Sequence, residues 1–169
     1  MSTIKYKEQR VAVLFDVQNM YHSAKSLYKA RVNFKEVLKT ATAGRRLVRA
    51  IGYVVRSESG EEKLFFEALN KAGIELKIKD LQVFAGGMKK GDWDVGITID
   101  AVRLSELIDS IVLVTGDGDF TPLIEYLKGR GRQAEVMGFG RSTSAKLKEI
   151  ADDFTDLENN PKKFLIGKE

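Results

Sequence analysis

The chain has 169 residues, 43% of them hydrophobic and 31% charged, with a net charge of +4. That is enough for one domain with a sizeable core, and the mixture is that of an ordinary globular protein. With no cysteine and a single histidine, His22, disulfide frameworks, thiolate zinc sites, cysteine nucleophiles and two-histidine acid–base catalysis are excluded.

Residues 1–10 are polar and charged, unlike a secretory signal, and no apolar run is long enough to span a bilayer, so a cytoplasmic protein is expected. Val11 to Phe15 is apolar throughout, as in a strand covered on both faces, and it ends on Asp16. Gln18 to Ala30 predicts a helix with Met20, Ala24 and Leu27 on its apolar face, where His22 is expected as a surface or capping residue. Asn33 followed by Glu36 has the form of a capping box opening a short helix to about Thr42. Leu47 to Val55 predicts a second strand and Ser57 to Gly60 a turn. Glu61 to Ala72 has the pattern of an amphipathic helix with Leu64, Phe65, Ala68 and Leu69 inward, and Gly73 stands where a C-terminal cap belongs. Ile74, Leu76 and Ile78 alternate with charged residues, the pattern of a half-exposed edge strand.

Gln82 to Gly91 is a glycine- and lysine-containing loop. Its glycine spacing is that of a P-loop, but Asp92-Trp93 follows where lysine and a hydroxyl residue are required, which rules that motif out. Asp92 to Asp109 predicts the longest helix, with Val95, Ile99 and Val102 as one apolar stripe and Ile97, Leu104 and Ile108 widening it. A charge at Asp100 on such a helix needs a partner, and Arg103 is the plain candidate; Asp94 in the first turn suits the helix dipole. Ile111 to Val114 is a second strand of the doubly buried kind. It runs into Thr115-Gly116-Asp117-Gly118-Asp119-Phe120, an acidic turn, and then a helix through Leu127 with Pro122 in its first turn.

After Gly131, Gln133 to Met137 predicts a strand. Ser142, Thr143 and Ser144 then open a helix to Ile150, an amino end that with Arg141 suits a phosphate or simply a cap. Phe154 to Leu157 is a short strand, and residues 159–169 form a basic tail. The domain proper is thus expected over 11–158, between a polar extension of residues 1–10 and that tail. Alternation of strands and helices predicts an α/β protein: a three-layer, mostly parallel sheet with helices on both faces.

Two strands deliver three carboxylates, Asp16 and the Asp117/Asp119 pair, to one edge if they are neighbours at the topological switch point, and the connecting helix could add Asp94. Asp117 as a turn residue and Asp119 as a cap are the bland alternatives. Carboxylates about 4 Å apart repel by roughly 1 kcal/mol in water and about 4 kcal/mol at an intermediate dielectric. They must be partly protonated or share a cation, and oxygen ligands without histidine or cysteine favour Mg²⁺ or Mn²⁺, ions suited to phosphoryl chemistry. Basic clusters at Lys89-Lys90, Arg45-Arg46 with Arg49, Arg130 with Arg132, Arg141 with Lys146 and Lys148, and Lys162-Lys163 are solvated faces individually; converging, they would suit a polyanion.

Four pieces in order carry a resemblance: Leu14-Phe15-Asp16-Val17-Gln18-Asn19; Lys89-Lys90-Gly91-Asp92-Trp93-Asp94 with Asp100-Ala101; Val114-Thr115-Gly116-Asp117-Gly118-Asp119-Phe120; and Ser144 to Asp152. Over most of its length the chain resembles the NYN domain family, in the LabA-like branch of the PIN-like nucleases. The resemblance implies a Rossmann-like PIN fold and metal-dependent ribonuclease activity, with Asp16, Asp94, Asp117 and Asp119 as metal-binding, catalytic acids. By the same comparison Asn19, Asp100 and Thr115 support them. Lys89, Lys90, Arg141, Ser142 and Ser144 would hold substrate phosphates. The cofactor expected is Mg²⁺ or Mn²⁺ and the partner RNA, or another single-stranded nucleic acid, with no membrane; the edge strand hints at a homodimer. Trp93 next to Asp94 is expected as core. The alternatives are a non-catalytic RNA-binding scaffold of the same fold and a haloacid-dehalogenase-type phosphatase, suggested by Asp117-Gly118-Asp119-Phe120-Thr121. The latter family carries that motif on its first strand, whereas here it comes late.

Overall fold

The computed structural model describes residues 3–83, 85–86 and 89–168, with the backbone alone described at 82, 83, 89, 90 and 168. In β1 (Arg10–Asp16) the side chains of Val11, Val13 and Phe15 enter one hydrophobic cluster, and those of Ala12 and Leu14 enter another. Both faces of the strand are therefore covered, which is why it has no polar alternation.

The chain continues through α1 (Val17–Tyr28), β2 (Ala30–Val32), α2 (Phe34–Thr42), β3 (Arg46–Arg56), α3 (Lys63–Lys71), β4 (Glu75–Asp80), β5 (Gln82–Val83) and β6 (Lys89–Lys90). Then follow α4 (Asp94–Leu104), β7 (Ser110–Val114), α5 (Thr121–Gly129), β8 (Gln133–Gly138), α6 (Ala145–Ile150), β9 (Asp153–Asp156), α7 (Pro161–Phe164) and β10 (Leu165–Lys168). Six strands make a parallel sheet in the order β4-β3-β1-β7-β8-β9. Helices α1, α2 and α3 cover one face through Met20, Val37 and Leu69, and α4, α5 and α6 cover the other through Ile97, Ile124 and Leu147. The expected α/β architecture and the expected edge position of Ile74 to Ile78 are both present. Among the described residues no helix is long and apolar enough to cross a membrane.

Several expectations are corrected. Helix α4 stops at Leu104, short of Asp109, because its last turn is diverted: Ser105 Oγ donates to Val102 O at 2.6 Å, and Arg132 Nε takes Ser105 O at 2.5 Å. Its buried face is Ile97, Asp100, Ala101 and Leu104, while Val95 and Ile99 are 72% and 45% exposed. The helix carries two apolar stripes, and the one holding Asp100 faces the sheet because Tyr53 and Lys77 there satisfy its charge. On α3 only Leu69 is buried; Leu64 is 79% exposed and Ala68 is also exposed. The stretch expected as a basic tail carries α7 and β10, which pairs antiparallel with β2 and buries Phe164 against the first cluster. Two- to four-residue strands such as these, and the β5–β6 pair, are too short for a periodic signal.

Candidate active site

Strands β1 and β7 are paired in parallel, so their carboxyl ends lie side by side. Asp16 ends β1 on the face that Leu14 shares with α4, and its carboxylate caps α1 by accepting the Asn19 amide at 3.4 Å. It also accepts the Thr115 hydroxyl at 3.0 Å, and Thr115 Oγ1 in turn accepts the Asp117 amide at 3.2 Å. Asn19 Oδ1 accepts the Gly116 amide at 2.9 Å, and Gly116 O accepts the Ser144 amide at 2.9 Å. A side chain at Gly116 would stand 2.3 Å from Ser142 O, so the turn after β7 and the loop before α6 close on each other only because this residue is glycine.

Helix α4 brings the third acid. Asp94 sits in its first turn, its amide held by Asp92 Oδ1 at 3.2 Å. Asp16, Asp94 and Asp117 each offer an oxygen, and these three atoms lie within 4.8 Å of one another. The cavity they line, about 290 Å³, is completed by Gln18, Asn19, His22, Gly91 and Asp92. No lysine or arginine lines it among the described residues. Burial, then the charges of Asp117 and Asp92, push the Asp16 carboxyl up to about 6 against the opposing hydrogen bonds from Thr115 and Asn19. Burial and the charges of Asp117, Asp16 and Asp92 push Asp94 up to about 7.

The other expected site residues are placed differently. Asp119 is exposed and lies outside the cluster; its amide donates to Asp117 Oδ1 at 2.9 Å, so what it contributes there is backbone. Asp100 is 9% exposed and does not line the cavity. Its partners are the Tyr53 hydroxyl and the Lys77 ammonium, each at 2.7 Å, not Arg103, which is exposed. Burial works to raise its pKa, but these bonds and the nearby Arg49 hold it below the ordinary aspartate value.

Arg141 is engaged by Glu158 at 2.7 Å and stacks 5.6 Å from the Tyr28 ring. Ser142 Oγ bonds Phe139 O at 3.5 Å and Ser144 Oγ caps α6, so both hydroxyls have backbone partners and neither lines the cavity. The side chains of Lys89 and Lys90 lie outside the described residues. Trp93 packs as core, 5.4 Å from the Tyr53 ring with its indole N–H on Val54 O at 2.9 Å. Four cavity residues escaped the sequence-level expectation: Gln18, His22, Gly91 and Asp92. His22 stands one helical turn beyond Asn19, a spacing that already places both on one face of α1.

A parallel sheet whose carboxyl edge gathers aspartates from two adjacent strand ends and one helix start is the arrangement of a Rossmann-like, PIN-like domain. Residues 10–158 match the NYN domain, and the chain belongs to that family. It is 25% identical to the low amplitude and bright protein LabA of Synechococcus elongatus, over 91% of this chain and 87% of that protein. An uncharacterized protein of Methanocaldococcus jannaschii is 31% identical over 86% of this chain and 54% of its own length, so the chain spans about half of that relative. The crystal structure of a protein of unknown function from Vibrio parahaemolyticus is similar with a TM-score of 0.86 and 32% identity, covering 97% of this chain and 100% of that one. Membership in this family supports a nuclease-type function for the acidic cluster.

Proposed function

We propose that the protein is a divalent-metal-dependent ribonuclease that hydrolyses RNA phosphodiesters at the Asp16–Asp94–Asp117 pocket. The observation that carries this reading is the meeting of three carboxylate oxygens within 4.8 Å, without a lysine or arginine lining the pocket among the described residues. The donor set fits Mg²⁺ or Mn²⁺: all oxygen, with two acids whose affinity for protons is raised by burial and by the neighbouring carboxylates. Such an ion, when bound, would lower the pKa of a water and offset negative charge growing on the phosphodiester oxygens.

The residues themselves do the positioning. Thr115 and the Asn19 amide orient the Asp16 carboxylate, and the Asn19 side chain fastens the β7 turn to α1 so that Asp117 stays beside Asp16. Asp92 holds the amide of Asp94 at the entrance to α4. Gln18 and His22 present donors on the cavity wall toward a substrate phosphate. Lys89 and Lys90 belong to the same proposal as backbone-phosphate partners.

The test is incubation of labelled single-stranded and structured RNA with purified protein in Mg²⁺, Mn²⁺ or EDTA, beside Asp117→Asn. Cleavage is expected with either metal, and to disappear in EDTA and in the variant while cooperative thermal unfolding is retained in both. Cleavage retained by Asp117→Asn overturns the assignment. Salt-dependent RNA binding without turnover would make the protein a scaffold instead.

A further inference from the structure

A second concavity opens beside the acidic pocket and shares two wall residues with it, Gln18 and His22. It is a groove of about 1000 Å³ between α1 and α3. Its rim next to the acids carries Tyr21, 38% exposed, whose ring meets His22 edge to face at 5.5 Å and has the Lys25 ammonium 5.8 Å from its centroid. Its wall holds Phe65, half-buried against the core ring of Phe34 at 6.0 Å. Arg31 and Lys35, both exposed, line it as well.

We propose that this groove seats the unpaired bases of a single-stranded nucleic acid flanking the phosphate held at the acidic pocket. Tyr21 offers a stacking surface, and Arg31 and Lys35 lie along the backbone's path. The proposal rests on the nuclease reading for the position of the scissile phosphate. Three things select this occupant. The groove shares Gln18 and His22 with a pocket suited to phosphate chemistry; it pairs the Tyr21 ring, which accepts any base, with Arg31 and Lys35, which accept the backbone, although Glu61 and Glu62 also line it; and a strand leaving that pocket over His22 would enter it. A duplex keeps its bases stacked on one another and gains nothing from such a wall.

The experiment measures binding of a labelled oligoadenylate, and of an abasic strand of equal length, to the full chain carrying Asp117→Asn. Adding Tyr21→Ala is expected to weaken oligoadenylate binding roughly five- to hundredfold, the usual loss for one stacking platform, and to leave the abasic strand unaffected. Adding Arg31→Ala is expected to weaken both strands and lower the salt slope by about one. Equal affinity with and without Tyr21, or no binding of either strand, overturns the proposal. So does concentration-dependent self-association abolished by Leu64→Arg, since a second copy would then fill the groove.

Cleavage assays on the otherwise unaltered protein separate this from the reading it builds on. Metal-dependent cleavage with unchanged KM in Tyr21→Ala sinks the groove and leaves the nuclease. Base-dependent binding without any cleavage does the reverse.

Discussion

Asp16 and Asp94 are acids placed where charge is costly, and their raised proton affinities make the site a pH-dependent element of stability. Their folded pKa values, about 6 and about 7, lie above the ordinary 3.8, so between those limits the folded state holds protons that the unfolded chain has released. This contribution is complete below the ordinary value and is lost as pH rises through the folded ones. The EDTA-treated protein is therefore expected to lose thermal stability from about pH 4 to about pH 7. On the proposed reading a divalent ion would replace the lost protons, so Mg²⁺ is expected to raise Tm more at about pH 8 than at about pH 5. Differential scanning fluorimetry at both pH values checks this, and a Mg²⁺ shift that ignores pH would remove the cluster as the ion's site. That these acids are chemically special was legible from their residue types and from the strand ends that carry them. That Asp119 stands apart was not, because a carboxylate two residues along a tight turn points out of the pocket while its amide points in.

At the level of the element, α4 decides how close Asp94 comes to Asp16. The helix is held to the sheet by Ile97, Ala101 and Leu104 and by the buried hydrogen bonds from Tyr53 and Lys77 to Asp100. Asp100 is thus a fastening nearly two turns from the pocket rather than part of its lining. Ile97→Ala is expected to cost about 2–5 kcal/mol in urea unfolding, since a 2% exposed side chain would leave a cavity. Val95→Ala, on the 72% exposed face, is expected to stay within about 0.5 kcal/mol. Equal costs would return the helix to its other stripe. Its amino-acid pattern alone does not choose between the two faces, because apolar residues stand on both. The choice falls to the sheet, where a phenol and an ammonium wait for one carboxylate.

Across the whole molecule the two ends of the parallel sheet do different work. The carboxyl edge gathers acids that have no salt-bridge partner among the described residues, whereas at the amino edge Glu135 is neutralised by the fully buried guanidinium of Arg45 at 2.8 and 3.1 Å, with Ser110 and Gln133 also bonded to it. Glu135→Ala would strand Arg45 without its partner, and a loss of about 3–5 kcal/mol is expected by urea unfolding. Mg²⁺ affinity of the folded fraction should not change, because the pair lies at the opposite end of the strands from Asp16. A matched loss of metal affinity would show the two edges to be coupled. The apolar runs of β1 and β7, covered on both faces, and most of the helices follow from the sequence itself, and those two runs lead to Asp16 and Asp117; that the two strands lie side by side, so that these acids meet, is decided by the order of the sheet. The tertiary structure alone decided the partners: Asp100 with Lys77 and Tyr53, Arg141 with Glu158, β10 with β2, and His22 with the pocket wall. Local pattern records how much of a side chain must be buried, but charges and short strands are satisfied by neighbours far along the chain, and those are known only once the sheet has brought them together.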